Sequence, residues 1–217
     1  MRNEPFNAIA PYGIISTLSQ LENIYECRIL GWIIAKAQSV LKLYNKDLSE
    51  INIESAMNLT RVTFPVRYLL GEKDRNYASL DKAFKLAEKK IRFRKEWRNN
   101  GTRCTTDYWL NVIAFPEFRQ RGREKIISFV IHNDFWHIIL DFSKGHRIFS
   151  LDTYMRLSSC YSIVMLLFIS RQQQPITITM ERLREIMGIK DMPTYERGNA
   201  MFSKILEPAR QELNKKS

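Results

Sequence analysis

The reactive side chains of this sequence do not fall at the spacings that catalytic or metal sites require. Its three histidines lie at positions 132, 137 and 146, so it lacks the His-x-His pair of metal-dependent nicking endonucleases. Its three cysteines form no Cys-x-x-Cys pair for zinc or for a disulfide framework. The glycine-rich loop of nucleotide hydrolases and the Gly-x-Ser-x-Gly elbow of serine hydrolases are also missing. We therefore expect a protein without catalytic residues, metal or cofactor.

The composition instead favours binding to a polyanion. Within 217 residues, 34 Lys and Arg stand against 23 Asp and Glu, which gives a formal net charge of +11. Such a surplus is typical of proteins that bind nucleic acid. No apolar stretch approaches the ~18 residues of a membrane-spanning helix, and residues 1–5 do not begin a secretory signal. We expect a cytoplasmic protein that does not use a membrane.

Two segments have the pattern of a helix-turn-helix, in which a short helix and a turn precede a longer helix. The first comprises residues 66–70 and 76–90, and the second comprises residues 180–187 and 195–214, with Asn76 and Thr179 as predicted caps. In the last helix, apolar residues recur every four positions and define one face, at Met201, Ile205, Ala209 and Leu213. The polar residues of the other face are Arg197, Asn199, Ser203, Lys204 and Arg210. A helix that reads a DNA major groove needs these two faces, but so does a solvated surface helix.

A predicted β-hairpin follows the first helix-turn-helix, which is the order of elements in a winged helix. From Ile91 the apolar period changes to two, and Asn99-Asn100-Gly101 is a hairpin turn signal. Basic residues line the preceding helix and the hairpin, at Lys82, Lys85, Lys89, Arg92, Arg94, Arg98 and Arg103. This layout suits contacts with DNA phosphates, and charge that protects a strand edge is the alternative. Trp97, Tyr108 and Trp109 are expected to belong to the hairpin core or to cross-strand pairs rather than to stack on bases.

The remaining pattern predicts a mainly helical α+β fold. Residues 1–17 have the pattern of an arm, and a capping box at residues 19–22 starts a long helix over residues 18–44. Residues 61–64 and 126–131 have the pattern of strands, and residues 116–123 that of a polar loop between the hairpin and the second of these strands. Further helices are expected over residues 133–142, 150–157 and 161–170.

Three C-terminal stretches together resemble one known family, the iteron-binding replication initiators of theta-replicating plasmids. Residues 149–167 contain a Tyr-Ser-Ile motif similar to the family's YSIRLYELL. Residues 178–188, ITMERLREIMG, are similar to its I.LEELREILG, and residues 194–214 are similar to its Y.RF.DFKRRVL.PAL.EIN. The match is looser at the opening helix, residues 18–34, and at residues 77–93. The resemblance implies two winged-helix domains, at residues 1–145 and 146–217.

The resemblance also implies a division of labour between these domains. The first would contact mainly the DNA backbone and contribute to a homodimer, and the second would read duplex repeats through its last helix. The residues placed on that reading face are Arg197, Asn199, Phe202, Ser203 and Lys204. Where the family often has a run of Arg and Lys, this chain has Phe202, which is suited to thymine methyl groups. The resemblance further implies that binding helps to open the origin, recruits host replication proteins in a bacterial cytoplasm, and represses the initiator's own promoter.

The family continues after this last helix into a second hairpin, whereas this chain stops at Ser217. We therefore expect either that the sequence is truncated before the second wing or that this wing is absent. Two other functions remain open from the sequence. A winged-helix repressor would bind one inverted repeat as a dimer, and a basic protein-interaction scaffold would bind DNA without sequence preference.

Overall fold

A computed structural model describes residues 7–40, 52–56, 59–70, 78–99, 102–143, 145–170 and 172–216 of the chain. Only the backbone is described at residues 16, 39–40, 52–56, 94–99 and 121. The predicted cap at Asn76, the turn residues Asn100 and Gly101, and the predicted helix end at residues 41–44 lie outside the described residues. The chain divides into two compact units, one formed by residues 49–137 and one formed by residues 1–48 together with 138–217.

The unit of residues 49–137 contains a four-stranded antiparallel sheet, a hairpin and short helices. The sheet has the strand order β2 (Asn52–Ala56), β3 (Leu59–Pro65), β7 (Glu124–His132) and β6 (Ala114–Arg121). Its core face carries Val62 and Phe64 of β3 opposite Phe129 and Ile127 of β7. The elements are β2 (Asn52–Ala56), β3 (Leu59–Pro65), α3 (Arg67–Leu70), α4 (Ala78–Phe84), β4 (Lys90–Asn99), β5 (Thr102–Asn111), β6 (Ala114–Arg121), β7 (Glu124–His132) and the start of α5 (Asn133–Ile139).

The discontinuous unit is built around one buried helix, α2. Its elements are β1 (Asn7–Pro11), α1 (Tyr12–Leu18), α2 (Ile24–Val40), β8 (His146–Ser150), α6 (Leu151–Arg156), α7 (Cys160–Ile169), α8 (Met180–Ile186), α9 (Gly198–Met201) and α10 (Glu207–Lys216). A π-helical turn joins α9 to α10. Helix α2 is apolar on nearly all sides, which is the pattern of a central helix. Helices α6 and α7 and strand β1 pack against it.

Gly31 allows α6 to approach α2 closely. A Cβ atom at this position would lie 2.6 Å from a ring carbon of Tyr154. The Tyr154 ring is fully buried, and its hydroxyl donates a hydrogen bond to the carbonyl of Cys27 at 2.7 Å. Burial raises the pKa of Tyr154 well above its usual value, so this hydroxyl keeps its proton. Tyr154 therefore ties α6 to α2 by both packing and hydrogen bonding.

The N-terminal segment is not the predicted arm. Residues 7–11 form β1, which pairs with β8 from Asn7 opposite Ser150 to Pro11 opposite His146. Gln38 of α2 supports this strand, because its amide oxygen accepts a hydrogen bond from the N–H of Ile9 at 2.9 Å. Pro11 does not break the structure here, because it stands immediately before α1, where a missing N–H costs nothing. Neither β1 nor β8 has an alternating pattern of its own.

Three element boundaries also differ from the prediction. Helix α2 begins after Asn23, whose side-chain oxygen accepts from the N–H groups of Tyr25 and Glu26 at 3.1 Å each, so the capping box at residues 19–22 was wrong. Residues 114–121 form the edge strand β6 where a loop was predicted, because charged side chains suit the solvent face of an edge. The second helix of the first helix-turn-helix is shorter than residues 76–90, since α4 gives way to a 3₁₀ turn at Lys85–Ala87.

Candidate nucleic-acid interface

The last helical segment separates apolar and polar residues as its spacing predicted. Met201, Ile205, Ala209 and Leu213 are all buried. The exposed residues include all five that the sequence places on the reading face, Arg197, Asn199, Phe202, Ser203 and Lys204. Phe202 is 58% exposed, which is unusual for an aromatic side chain. The segment begins at Gly198 rather than at residue 195, so Arg197 occupies the N-cap position.

Pro208 explains the π-helical turn in the middle of this segment. A proline has no N–H to donate to the carbonyl four residues earlier, here that of Lys204, and its ring crowds that carbonyl. The backbone widens instead, and the N–H of Glu207 donates to the carbonyl of Phe202 five residues before it. In an α-helix, four residues overshoot a full turn by about 40°. A wider turn offsets this drift and keeps the buried residues, which recur every four positions, on one face.

Helix α8 and the turn after it lead into this segment. The hydroxyl of Thr179 caps α8 by accepting from the N–H of Arg182 at 3.2 Å, as predicted. Gly188 ends the helix with a φ of 70°. Lys190 beyond the turn donates to Glu185 at 2.7 Å, and with Arg182 it lowers the pKa of Glu185 to about 2. The charges of Lys190 and Arg182 are thus partly engaged within the protein.

Arg210 differs from the other residues predicted to contact DNA in this segment. Its guanidinium forms a two-point ion pair with Glu207, with distances of 2.8 Å and 2.6 Å. The hydrogen bond from Arg210 lowers the pKa of Glu207 to about 2, with a further bond from Gln211. A phosphate would have to displace this carboxylate. A DNA contact by Arg210 remains a prediction.

Glu212 anchors the last helix to the turn before α7. Its carboxylate accepts from the backbone N–H of Ser158 at 2.8 Å and from the ammonium of Lys216 at 2.6 Å. Burial raises the pKa of Glu212, but hydrogen bonds from Lys216 and Ser158 outweigh it and lower the value to about 2. The position of the reading face thus depends on a charged carboxylate.

This pKa predicts acid sensitivity. Because the pKa is depressed in the folded state, Glu212 stabilises the protein above its unfolded pKa near 4.5, and this stability is lost as pH falls towards about 2. We expect Glu212→Gln to lower the free energy of unfolding at pH 7 by roughly 2 kcal/mol and to flatten its decline at acid pH. Urea denaturation of both proteins between pH 7 and pH 3 measures this. Parallel pH profiles in the two proteins would contradict it.

The first helix-turn-helix presents fewer basic side chains than its sequence suggested. Lys82 of α4 and Lys85 of the following turn are exposed. Lys89 lies beyond the helix, and its ammonium nitrogen is shielded from solvent. The amide nitrogen of Asn111 in β5 donates to the carbonyl of Ala87 at 2.5 Å and so joins the hairpin to the end of this turn. A DNA contact by Lys89 would need its side chain to reorient.

The predicted wing is present as the hairpin β4–β5. Its two strands pair antiparallel from Lys90 opposite Asn111 to Asn99 opposite Thr102. Arg92, Arg94 and Arg98 are separated by even numbers of residues and so hold positions on one face of the ribbon. Arg92 forms an ion pair with Asp107, and Arg103 is exposed. Only the backbones of Arg94 and Arg98 are described, so their contacts with DNA remain predictions.

The aromatic residues of the wing lie on opposite faces. Tyr108 stacks on Phe93 with ring centroids 5.8 Å apart, and burial raises its pKa, with Asp134 adding to the effect. The prediction of packing within the hairpin is confirmed for Tyr108. Trp109 is not in the hairpin core but forms a cross-strand pair with Arg92, and it is 57% exposed on the basic face. Alternation along the strand separates the two rings but does not say which face is outward. The side chain of Trp97 is not among those that the structure describes.

The histidines do not form a metal site with other ligands in the part of the chain that the structure describes. There, no three His, Cys, Asp or Glu residues come together in an arrangement suited to a metal ion. His132 instead lies 3.4 Å from Asp134 at the junction of β7 and α5.

None of the described helices is both long enough and apolar enough to cross a bilayer.

Comparison with known proteins finds a matching family and solved structures with a similar fold. No curated protein sequence matches the chain significantly. A solved structure described as "Crystal structure of Pi initiator protein in complex with iteron DNA" is similar, with a TM-score of 0.64 and 18% identity. The match covers 99% of this chain and 88% of that one, and at this identity it establishes a shared fold. The family model "Initiator Replication protein, WH1" matches residues 18–170, which is the larger part of the sequence. The chain therefore belongs to the family of initiator replication proteins.

Proposed function

We propose that this chain is a plasmid replication initiator that binds direct repeats, or iterons, in duplex DNA without catalysing a reaction. The observation that carries the proposal is the exposed face of the last helical segment, which presents Arg197, Asn199 and Lys204 beside Phe202. Family membership supports the role in initiation. The likeness to an initiator solved with iteron DNA supports the choice of ligand.

The proposal assigns different tasks to two parts of the chain. Residues 146–217 would read the repeat through the last helical segment, and residues 1–145 would hold the DNA backbone through the wing and contribute to a homodimer. This boundary concerns function and not packing, because residues 1–48 and 138–217 form one compact unit. The exposed Lys82, Lys85 and Arg103 support backbone contact by the first part.

Titration with duplex DNA from upstream of the gene tests the proposal. An initiator is expected to give a ladder of stepwise complexes on direct repeats, with a scrambled duplex bound much more weakly. With ~6 phosphate contacts, affinity should fall about a thousandfold between ~50 and ~200 mM salt. A single complex on an inverted repeat would support a dimeric repressor instead. Equal binding to every sequence would contradict specific recognition and leave a basic interaction protein.

Substitutions on the reading face should affect cognate DNA selectively. Arg197→Ala or Lys204→Ala is expected to weaken binding to the repeat by ~1–3 kcal/mol, because each removes a contact to base edges. Arg94→Ala is the comparison in the wing. It should weaken binding to every DNA sequence alike and reduce the slope of log K against log salt by about one. Binding isotherms on cognate and scrambled duplexes separate these effects. Equal losses on both duplexes for Lys204→Ala would remove it from base recognition.

The proposal includes three consequences of binding. Occupied iterons would help to open the origin, the assembled complex would recruit host replication proteins, and a dimer would repress the initiator's own promoter. Opening is expected to make thymines next to the repeats reactive to permanganate in supercoiled DNA. A repeat array that is fully bound without such reactivity would contradict a role in opening while leaving DNA binding intact.

A further inference from the structure

Trp109 is an exposed aromatic residue on the basic face of the wing, opposite Arg92. The opposite face of the hairpin meets the apolar interior, where Ile91 and Phe93 are buried and Tyr108 stacks on Phe93. Trp109 lies across the strand from Arg92, and 57% of it is open to solvent. Folding therefore leaves a large aromatic ring accessible to a ligand, and tryptophan is among the residues enriched in binding hot spots.

The surroundings of Trp109 identify the chemistry of its ligand. The guanidinium carbon of Arg92 lies 5.9 Å from the centre of the indole ring. Asp107 holds the same guanidinium by an ion pair, so Arg92 is kept beside the ring by two neighbours. Arg103 is exposed farther along the same face. An aromatic ring beside an arginine matches a nucleotide, whose sugar and base edge can pack on the ring while its phosphate meets the guanidinium.

We propose that Trp109 is a direct DNA contact, in which the indole packs against a nucleotide's sugar and base edge and Arg92 binds the adjacent phosphate in place of Asp107. The proposal rests on the proposed function and adds a component that basic residues do not supply. Phosphate contacts release counterions and weaken with salt, whereas packing against an aromatic ring does not. The wing would thus contribute an affinity that persists at high salt.

The salt dependence of binding distinguishes the two residues. Trp109→Ala is expected to weaken binding about tenfold at every salt concentration and to leave the slope of log K against log salt unchanged. Arg92→Ala should instead lower the slope by about 0.9, the value for one phosphate contact. Leu59→Ala is the matched control, because Leu59 is also exposed, at 43%, but belongs to strand β3 rather than to the wing. It should bind like the unchanged protein.

A second measurement follows the indole itself. Duplex DNA is expected to change the tryptophan fluorescence of the unchanged protein, and most of this change should be absent in Trp109→Phe. Phenylalanine keeps an aromatic ring in the hairpin, so this variant tests the contact even if the alanine variant unfolds. Unaltered affinity of Trp109→Ala at all salt concentrations, or the full fluorescence change in Trp109→Phe, would overturn the proposal. An unchanged protein that binds no duplex would instead contradict the proposed function.

Discussion

Replacing Gly188 with alanine is expected to lower the free energy of unfolding by about 3 kcal/mol or more. Gly188 has a φ of 70°, a conformation that costs an L-residue roughly 1–2 kcal/mol. An added Cβ atom would also lie 1.9 Å from the carbonyl oxygen of Ser19. That obstacle is backbone and does not rotate aside, so overpacking adds a further ~1–3 kcal/mol. The turn that leads to the reading face would have to move.

Gly122→Ala provides the control for this effect. Gly122 also has a positive φ, of 60°, but an added Cβ atom would meet nothing within 4 Å, so only the backbone cost applies. We expect a loss of about 1 kcal/mol for this variant. Urea denaturation of both proteins, followed by far-ultraviolet circular dichroism, gives the comparison. Equal losses in the two variants would show that the Ser19 carbonyl yields easily and that close packing at Gly188 is unimportant.

Truncating Tyr154 is the second substitution for which we expect a large effect. The side chain is fully buried between α6 and α2, where Gly31 leaves room for its ring. Tyr154→Ala should lower the free energy of unfolding by roughly 3–5 kcal/mol, because it removes the packing of the ring and leaves a cavity. The unit that contains the reading face would be only marginally stable.

Tyr154→Phe separates the ring from the hydroxyl. It keeps the packing and loses only the hydrogen bond to the Cys27 carbonyl, so we expect a cost of about 1 kcal/mol. Thermal and urea unfolding of the two variants measure the difference. If Tyr154→Phe were as destabilising as Tyr154→Ala, the hydrogen bond and not the packing would hold α6 on α2.

The elements that the sequence predicts well are those whose signals are local. Apolar residues four apart identify the buried face of the last helical segment from Met201 to Leu213, because period and burial are linked directly. The hairpin β4–β5 is predicted by its alternation and its Asn-Asn-Gly turn signal. The cap at Thr179 follows from the hydrogen bond that a hydroxyl makes with an N–H three residues later.

The features that the sequence does not predict depend on distant partners. Strand β1 forms because residues 146–150 are available to pair with it, and nothing near Asn7 indicates this. The outward direction of Trp109 depends on which face of the ribbon meets the interior, and a tryptophan is usually assigned to the core. Arg210 and Glu207 are neighbours on one helix, but the sequence does not say whether they pair. The structure shows the ion pair, with which a DNA phosphate would have to compete.

The discontinuous unit has a consequence for synthesis on the ribosome. Its first part, residues 1–48, is made before its second part, residues 138–217, and Asn7 pairs with Ser150. Between them the ribosome makes residues 49–137, which at ~5–20 residues per second takes roughly 5–20 s. Throughout that interval the apolar surface of α2 lacks α6 and α7, which pack against it in the folded protein. All residues of the intervening unit, by contrast, have been made by the end of the interval. Shielding of this nascent helix by a chaperone would therefore govern the yield of folded protein.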